Sequence, residues 1–327
     1  MDTLIAIGGY QTSPANSIGK VQTIDCDGPA SINNNFTGKG SIGFPAAVMI
    51  AATWNVDLAN SFGERIGKMA DEMGVSGWYA PAMNTHRSAF AGRNFEYYSE
   101  DGFLSGMMSA YEVKAIQDKG VHVVMKHFAL NDCEQDRIGL GVWLNEQAAR
   151  EVYLKAFQAP VEVGNANGVM IAYTRWGAVW SGGNYGLVTG ILRNEWGCDG
   201  MVITDNVLTQ YVNGPDGVLA GVSIYDAMMS FVTDTLPKYK NDPVIVTAMR
   251  EACHHNLYAI ANSCGMNGVG ADTTIKVTRP TVVTMSIIIA CAFTFFCLLG
   301  IVMWIIGGIK FRKTEEYKAY KGFPKNP

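Results

Sequence analysis

Gly200–Asn206 reads GMVITDN, a short apolar run that starts after a glycine and ends on a carboxylate and an amide. A run of this length and make-up suits a strand buried on both faces of a parallel sheet. The pattern recurs upstream, with strand-like runs at Thr3–Ile7, Val21–Ile24, Gly77–Ala80, Val121–Met125 and Val169–Tyr173. Helical patterns lie between them. In Leu58–Met73, residues Phe62, Ile66, Met69 and Met73 recur at spacings of four, three and four, which marks one helix face. Asn145 is suited to cap a helix over Glu146–Val163, with Val152, Ala156 and Phe157 on a shared side, and a further helix is expected over Val246–Ala261. Repeated strand-then-helix units imply an α/β fold with a parallel sheet and helices outside. A (β/α)8 TIM-type barrel fits better than an open sheet. It is expected to be incomplete at its N-terminal side, where the first strand leads straight into Leu4–Gly9. No GxGxxG or GxxxxGK[ST] follows any strand-like run, so the common nucleotide-binding fingerprints are missing.

The polar residues fall in a regular place. HVVMKHF sets Lys126 and His127 directly after a strand-like run, GVMIAYTRWG sets Tyr173 after another, and GMVITDN ends on Asp205. VQTIDCDGP carries Asp27 just past a fourth. Barrel active sites lie at the C-terminal ends of the strands, so four strands aim ionisable or hydroxyl groups at one mouth. A polar residue after a single strand is usually a turn or a cap; four in succession indicate a site.

Such a constellation suits glycoside hydrolysis. That reaction needs a carboxylate beside the anomeric carbon, a proton donor for the leaving oxygen, and groups that grip the sugar hydroxyls. Asp205 is the candidate nucleophile, with no Lys or Arg beside it in sequence. Lys126, His127, Arg93 and Arg137 are suited to holding hydroxyls, and Asp27 can accept two sugar O–H bonds. Arg93 and Glu96 could instead form an ion pair that fixes a loop. Glu100 and Asp101 are expected to cap the next helix, Glu195 to brace the barrel, and Glu134 and Asp136 to serve loop structure.

Three long motifs, NTHRSAFAGRNFEYYSED (Asn84–Asp101), KHFALND (Lys126–Asp132) and LRNEWGCDGMVITDN (Leu192–Asn206), resemble glycoside hydrolase family 3, the β-glucosidase group. DGP at Asp27–Pro29 and FPAAVMIAATWN at Phe44–Asn55 fit the same pattern in the same order. The resemblance covers most of residues 4–270. It implies a barrel, retaining hydrolysis of terminal β-linked sugars, and a glycosyl-enzyme intermediate on Asp205. It also implies a sugar subsite at Asp27, Arg93, Lys126, His127, Arg137 and Tyr173. The ending MREACHHNLYAIANS (Met249–Ser263) is similar to members in which the barrel comes last in the chain, after the second domain.

Two departures stand out. Asn206 occupies the position after the nucleophile where the family usually carries Trp. The family's acid/base Glu lies on a separate α/β sandwich domain, which these residues do not contain. Relatives using a His/Asp pair have a Gly- and His-rich loop where this chain has ALNDCEQDR (Ala129–Arg137). The expectation is therefore a barrel completed by a missing or separate domain, with a β-glycoside or oligosaccharide as substrate. The alternative is a catalytically inactive, membrane-anchored carbohydrate-binding protein.

Thr281–Ile309 contains no charged residue, and a helix needs about 20 apolar residues to cross the hydrocarbon core. A single transmembrane span is expected there, after a domain at 1–270 and a linker at 271–280. Lys310, Arg312, Lys313, Lys318, Lys321 and Lys325 follow the span, whereas only Lys276 and Arg279 closely precede it. This bias puts the tail, 310–327, in the cytoplasm and the barrel domain outside the cytoplasm. The N-terminal residues carry no signal-peptide pattern, so an export signal is expected upstream or in the span itself. One span cannot enclose a pathway, which excludes a channel or transporter subunit.

The 327 residues, 48% hydrophobic, can close a large core without staples. A formal charge of −4 argues against a nucleic-acid partner. The seven cysteines form no CxxC pair, and His254-His255 point in different directions on a helix, so no metal or other cofactor is expected.

Overall fold

The computed structural model describes residues 9–207, 209, 211–227, 236–269, 273, 279 and 281–321. The chain divides into two compact units, Met1–Thr273 and Thr274–Pro327. The expected strand at Thr3–Ile7 lies outside the described residues.

In the first unit, β1 (Thr23–Asp27) is followed by α1 (Val56–Glu72), β2 (Gly77–Tyr79), α2 (Gly102–Gln117), β3 (His122–Val123) and β4 (Met125–Phe128). Then come α3 (Lys155–Glu162), β5 (Gly168–Ile171), β6 (Met201–Thr204), α4 (Gly214–Ala220) and α5 (Pro243–Ala261). β1 pairs in parallel with β2, β2 with β3, β4 with β5, and β5 with β6. Parallel bridges Ala82–Lys126 and Ile203–Ile224 extend the series. The paired strands run the same way, which requires a crossover between them each time, while β3 and β4 follow one another through Val124 alone. Among the described residues this is an arc of parallel strands, with Gln11–Thr12 and Asn33–Asn34 added antiparallel to β1.

The arc is buried on both faces. Tyr79, Val124, Met170, Met201, Ile203 and Ile224 form an apolar cluster on one face, joined by Ala259 and Ile260 at the end of α5. Their strand neighbours Val169, Ile171 and Val202 belong to the larger core under the helices. Alternation along β5 and β6 therefore splits each strand between two cores, as period-two side chains dictate.

Local chemistry sets the helix starts. Asn55 accepts from the Asp57 and Leu58 N–H groups, Asp101 from Phe103 and Leu104, and Asp242 from Val244 and Ile245, each satisfying otherwise orphaned donors. Of the two expected caps, Asp101 takes that role. α1 packs closely on α2 because Gly63 has no Cβ; one there would stand 2.5 Å from the Glu112 carbonyl oxygen. The helix expected over Glu146–Val163 starts at its Asn145 cap but is not continuous. A π-helical turn at Ala149–Tyr153 interrupts it, and Pro160 sits inside α3. The Leu154 N–H reaches back five residues to Ala149, which shifts the buried face by one position. Ala156 and Phe157 are buried as expected, while Val152 is only half-buried.

Besides a short helix at Glu315–Lys321, the second unit contains α6 (Thr281–Phe311), of 31 residues with mean hydropathy 2.6 over its most apolar window and no buried residue. It is long and apolar enough to cross a membrane. Lys325 lies outside the described residues.

Candidate active site

The arc puts the expected residues at one end. Asp205 follows β6 directly, and its Oδ1 accepts the Asn206 N–H at 2.7 Å. No donor reaches Oδ2 at hydrogen-bonding geometry among the described residues. That oxygen faces His127 Nε2 at 3.6 Å and an Arg137 nitrogen at 3.9 Å. One carboxylate oxygen is thus held and the other left open, with the side chain 14% exposed. Burial raises the Asp205 carboxyl above its ordinary range, while Arg137, the Asn206 N–H, Arg93 and Lys126 pull it back.

His127 lies next to Lys126 on β4. Its main chain is clamped by Asn84, which accepts from the His127 N–H at 2.9 Å and donates to its carbonyl at 3.0 Å. Burial, reinforced by Arg93, Lys126 and Arg137, drives the imidazole far below its usual value, so the ring is neutral. Its Nδ1 lies 3.4 Å from the Tyr97 hydroxyl. With the ring proton on Nε2, Nε2 presents N–H toward Asp205, and Nδ1 faces the Tyr97 hydroxyl, which also donates to the Asn131 carbonyl at 3.3 Å.

Lys126 crosses to β1. Its ammonium donates at 2.7 Å to both Asp27 Oδ1 and the Gly28 carbonyl, and it is almost wholly buried. Asp27 is 41% exposed, so its second oxygen, 3.4 Å from the Tyr10 hydroxyl, remains at the rim.

The two arginines sit on loops and share a carboxylate. Glu134 lies 3.0 Å from an Arg137 nitrogen and 3.6 Å from one of Arg93. Arg93 also donates to Glu96, so the alternative reading of that pair as a loop brace is realised. The Arg137 guanidinium lies over the Tyr173 ring, 4.5 Å from its centroid. A small sheet joins these loops: Gly141–Val142 pairs with Arg175–Trp176, which pairs with Val179–Trp180.

All seven expected residues therefore gather at this end of the arc. Sequence reasoning missed several of their partners. Asn131 donates to Glu134 at 2.8 Å and Tyr211 to the Asp205 carbonyl at 3.1 Å, while Glu134, expected as loop structure, bridges the arginines. Asp226 was missed as well, although a carboxylate after the apolar Ile224-Tyr225 pair repeats the pattern that revealed Asp205. Glu195 is a surface brace, pairing with Arg150 at 2.6 and 2.9 Å.

Parallel strands whose C-terminal ends bring carboxylates, cations and hydroxyls together around one carboxylate oxygen define an α/β protein with a polar cluster at the strand tips. Residues 29–218 match the family model described as the glycosyl hydrolase family 3 N terminal domain, and the chain belongs to that family. It is 40% identical over 198 residues to beta-glucosidase A of Butyrivibrio fibrisolvens, covering 60% of this chain and 24% of that protein. A beta-glucosidase of Ruminococcus albus is 37% identical over 179 residues, 55% of this chain and 19% of that one. The chain thus spans about a quarter of the length of the curated relatives it matches. Among solved structures, beta-glucosidase 3B from Thermotoga neapolitana in complex with α-D-glucose superposes with a TM-score of 0.73 at 29% identity. That match covers 80% of this chain and 41% of the other. The GH3 beta-glucosidase of Bifidobacterium adolescentis gives 0.76 at 26% identity, with 84% and 40% covered.

Proposed function

We propose that this chain carries the nucleophile and sugar-gripping half of a retaining, exo-acting β-glycosidase of the β-glucosidase type. The observation that carries the reading is Asp205 Oδ2, without a hydrogen bond among the described residues and 3.6 Å from a neutral His127 within a cup of cations. Asp205 attacks C1 of a terminal β-linked sugar, and the bond from C1 to the leaving oxygen breaks as the glycosyl-Asp205 ester forms. The leaving oxygen takes a proton from an acid, and water then cleaves the ester with the conjugate base accepting a proton. Lys126, His127, Asp27, Arg93, Arg137 and Tyr173 hold the sugar hydroxyls and offset the carboxylate charge.

The arc of strands is read as part of a (β/α)8 barrel spanning 1–270, in the permuted arrangement with the barrel last. The acid/base Glu would come from an α/β sandwich domain, a reading supported by the three-quarters of each relative's length that this chain does not match. α6 would be a single membrane span with the barrel domain outside the cytoplasm and the basic tail within it, a reading supported by its length, its hydropathy and the cations that follow.

Asn206 favours a second reading, a carbohydrate-binding protein without turnover, because an amide stands where the family carries an aromatic wall. Incubation with a 2-deoxy-2-fluoro-glycoside bearing a nitrophenolate leaving group separates the two. A nitrophenolate leaves with little acid help, so the enzyme reading expects a glycosyl label on Asp205 by peptide mass spectrometry. Folded protein that takes no label excludes it.

A further inference from the structure

Asp226 is 3% exposed, and its Oδ1 has no hydrogen-bond partner of normal geometry among the described residues. Its position is set by register. Ile203 and Ile224 bridge in parallel, and both belong to the apolar cluster on one face of the arc. Two residues further on, side chains return to the same face of a strand, so Asp205 and Asp226 point to that face from adjacent strand ends at the same level. Adjacent strands lie about 4.8 Å apart. The main chain between them is tied on both sides, with the Thr204 N–H donating to the Ile224 carbonyl at 3.1 Å and the Val207 N–H to the Asp226 carbonyl at 2.8 Å. The Asp226 N–H in turn donates to Thr204 Oγ1 at 3.0 Å.

The charges around the two carboxyls are unequal. Arg137, Arg93 and Lys126 all act on Asp205. Among the described residues, Asp205, Asp27 and Asp25 disfavour the ionised form of Asp226 and the Gly9 N–H favours it; Tyr10, Tyr79, Tyr173 and Tyr211 also face it. Two carboxyls side by side in a buried site cannot both ionise cheaply, and the one nearer the cations takes the charge.

We propose that Asp205 and Asp226 form a carboxyl pair holding one proton, with Asp226 as its protonated member and a positioning residue for the nucleophile. The inference rests on reading Asp205 as the nucleophile. Asp226 keeps its proton through burial and through the Asp205 charge, which together hold it up at about 7. A neutral Asp226 leaves Asp205 as the charged member of the pair. When Asp226 ionises, Asp205 is already charged, and the second negative charge changes the field at the attacking oxygen, so attack on C1 becomes pH-dependent near neutrality.

The test is a carbon-13 NMR titration of the aspartate side-chain carboxyls in the full chain, held in detergent micelles. In the unsubstituted protein two aspartates, Asp132 and Asp226, titrate near neutral pH, and the Asp226 signal alone is lost in Asp226→Asn. In Asp205→Asn the like charge is gone, and the Asp226 carboxyl titrates lower, toward the ordinary carboxylate range. An Asp226 that titrates in the ordinary range, or whose titration ignores Asp205→Asn, overturns the pair. None of these signals needs turnover, so they stand apart from the glycoside-labelling test of Asp205. In labelling, Asp226→Asn is expected to flatten the pH profile near neutrality while the acid limb remains. An unchanged profile overturns the positioning role.

Discussion

The Tyr173 hydroxyl donates to the backbone carbonyl of Asn206, the residue that follows Asp205. Tyr211, whose ring centroid lies 4.8 Å from that of Tyr173, donates to the carbonyl of Asp205 itself. Two tyrosines therefore grip consecutive peptide carbonyls at the tip of β6, and the Arg137 guanidinium rests on the first ring. The carboxylate direction is set by the main chain, so side-chain torsion alone does not decide where Oδ2 points. Tyr173, expected as a sugar ligand, also secures the residue it would serve.

Asp205→Asn is expected to abolish glycosyl transfer to the protein, a loss of at least about 10³-fold, because an amide lacks the carboxylate nucleophile. Burial already disfavours the charge at this position, so the melting temperature should stay level or rise. Thermal denaturation beside the labelling assay reads both. Unchanged labelling removes Asp205 from its role.

Lys126→Met should weaken sugar binding by about 10- to 100-fold, the range set by losing one or two charge-assisted hydrogen bonds of about 1.5–3 kcal/mol. The change releases Asp27 Oδ1 and the Gly28 carbonyl together. Calorimetric titration with glucose or an aryl glucoside measures it. An affinity within twofold of the unsubstituted chain would mean that the Lys126–Asp27 pair is structural only.

Glu112 is buried in α2, accepts the Tyr98 hydroxyl at 2.5 Å, and is pushed up by burial to about 7 from an ordinary value of 4.5. Between those values the folded chain binds more protons at this group than the unfolded chain, so its contribution to stability falls as pH rises from about 4.5 to 7. Above that window the ionised group costs on the order of 3 kcal/mol. Glu112→Gln can still accept from Tyr98 and cannot ionise, so it should stabilise the fold at pH 8 and change little at pH 4, as urea denaturation at the two pH values would show. Equal effects at both would show that Glu112 is not held protonated.

Full-length protein expressed in cells is expected to remain with membranes after an alkaline carbonate wash, and protease added outside should spare the residues after α6. Release by carbonate would make α6 a helix that packs on protein.

Much of this fold could be read from the chain because buried parallel strands are short apolar runs with sharp ends. Met201–Thr204 matches its expected limits, and α1 starts two residues before the periodic stretch, where Asn55 caps it. Asp205, Lys126, His127, Tyr173 and Asp27 were legible for the same reason, since each directly ends or follows such a run. Asn131, Glu134 and Tyr97 were not, because loops carry no period and their meeting depends on a chain path that propensity does not encode. The π turn was hidden too, because a one-residue register shift leaves the apolar composition of residues 146–163 unchanged.

The little three-stranded sheet over Gly141–Trp180 has a consequence for anyone who wishes to remodel the site. Because it laces the segment after Arg137 to the segment after Tyr173, the two side chains are mounted on one shared bracket. Lengthening or grafting either segment alone would swing both, so a redesign of this end of the strands must exchange the pair as a unit.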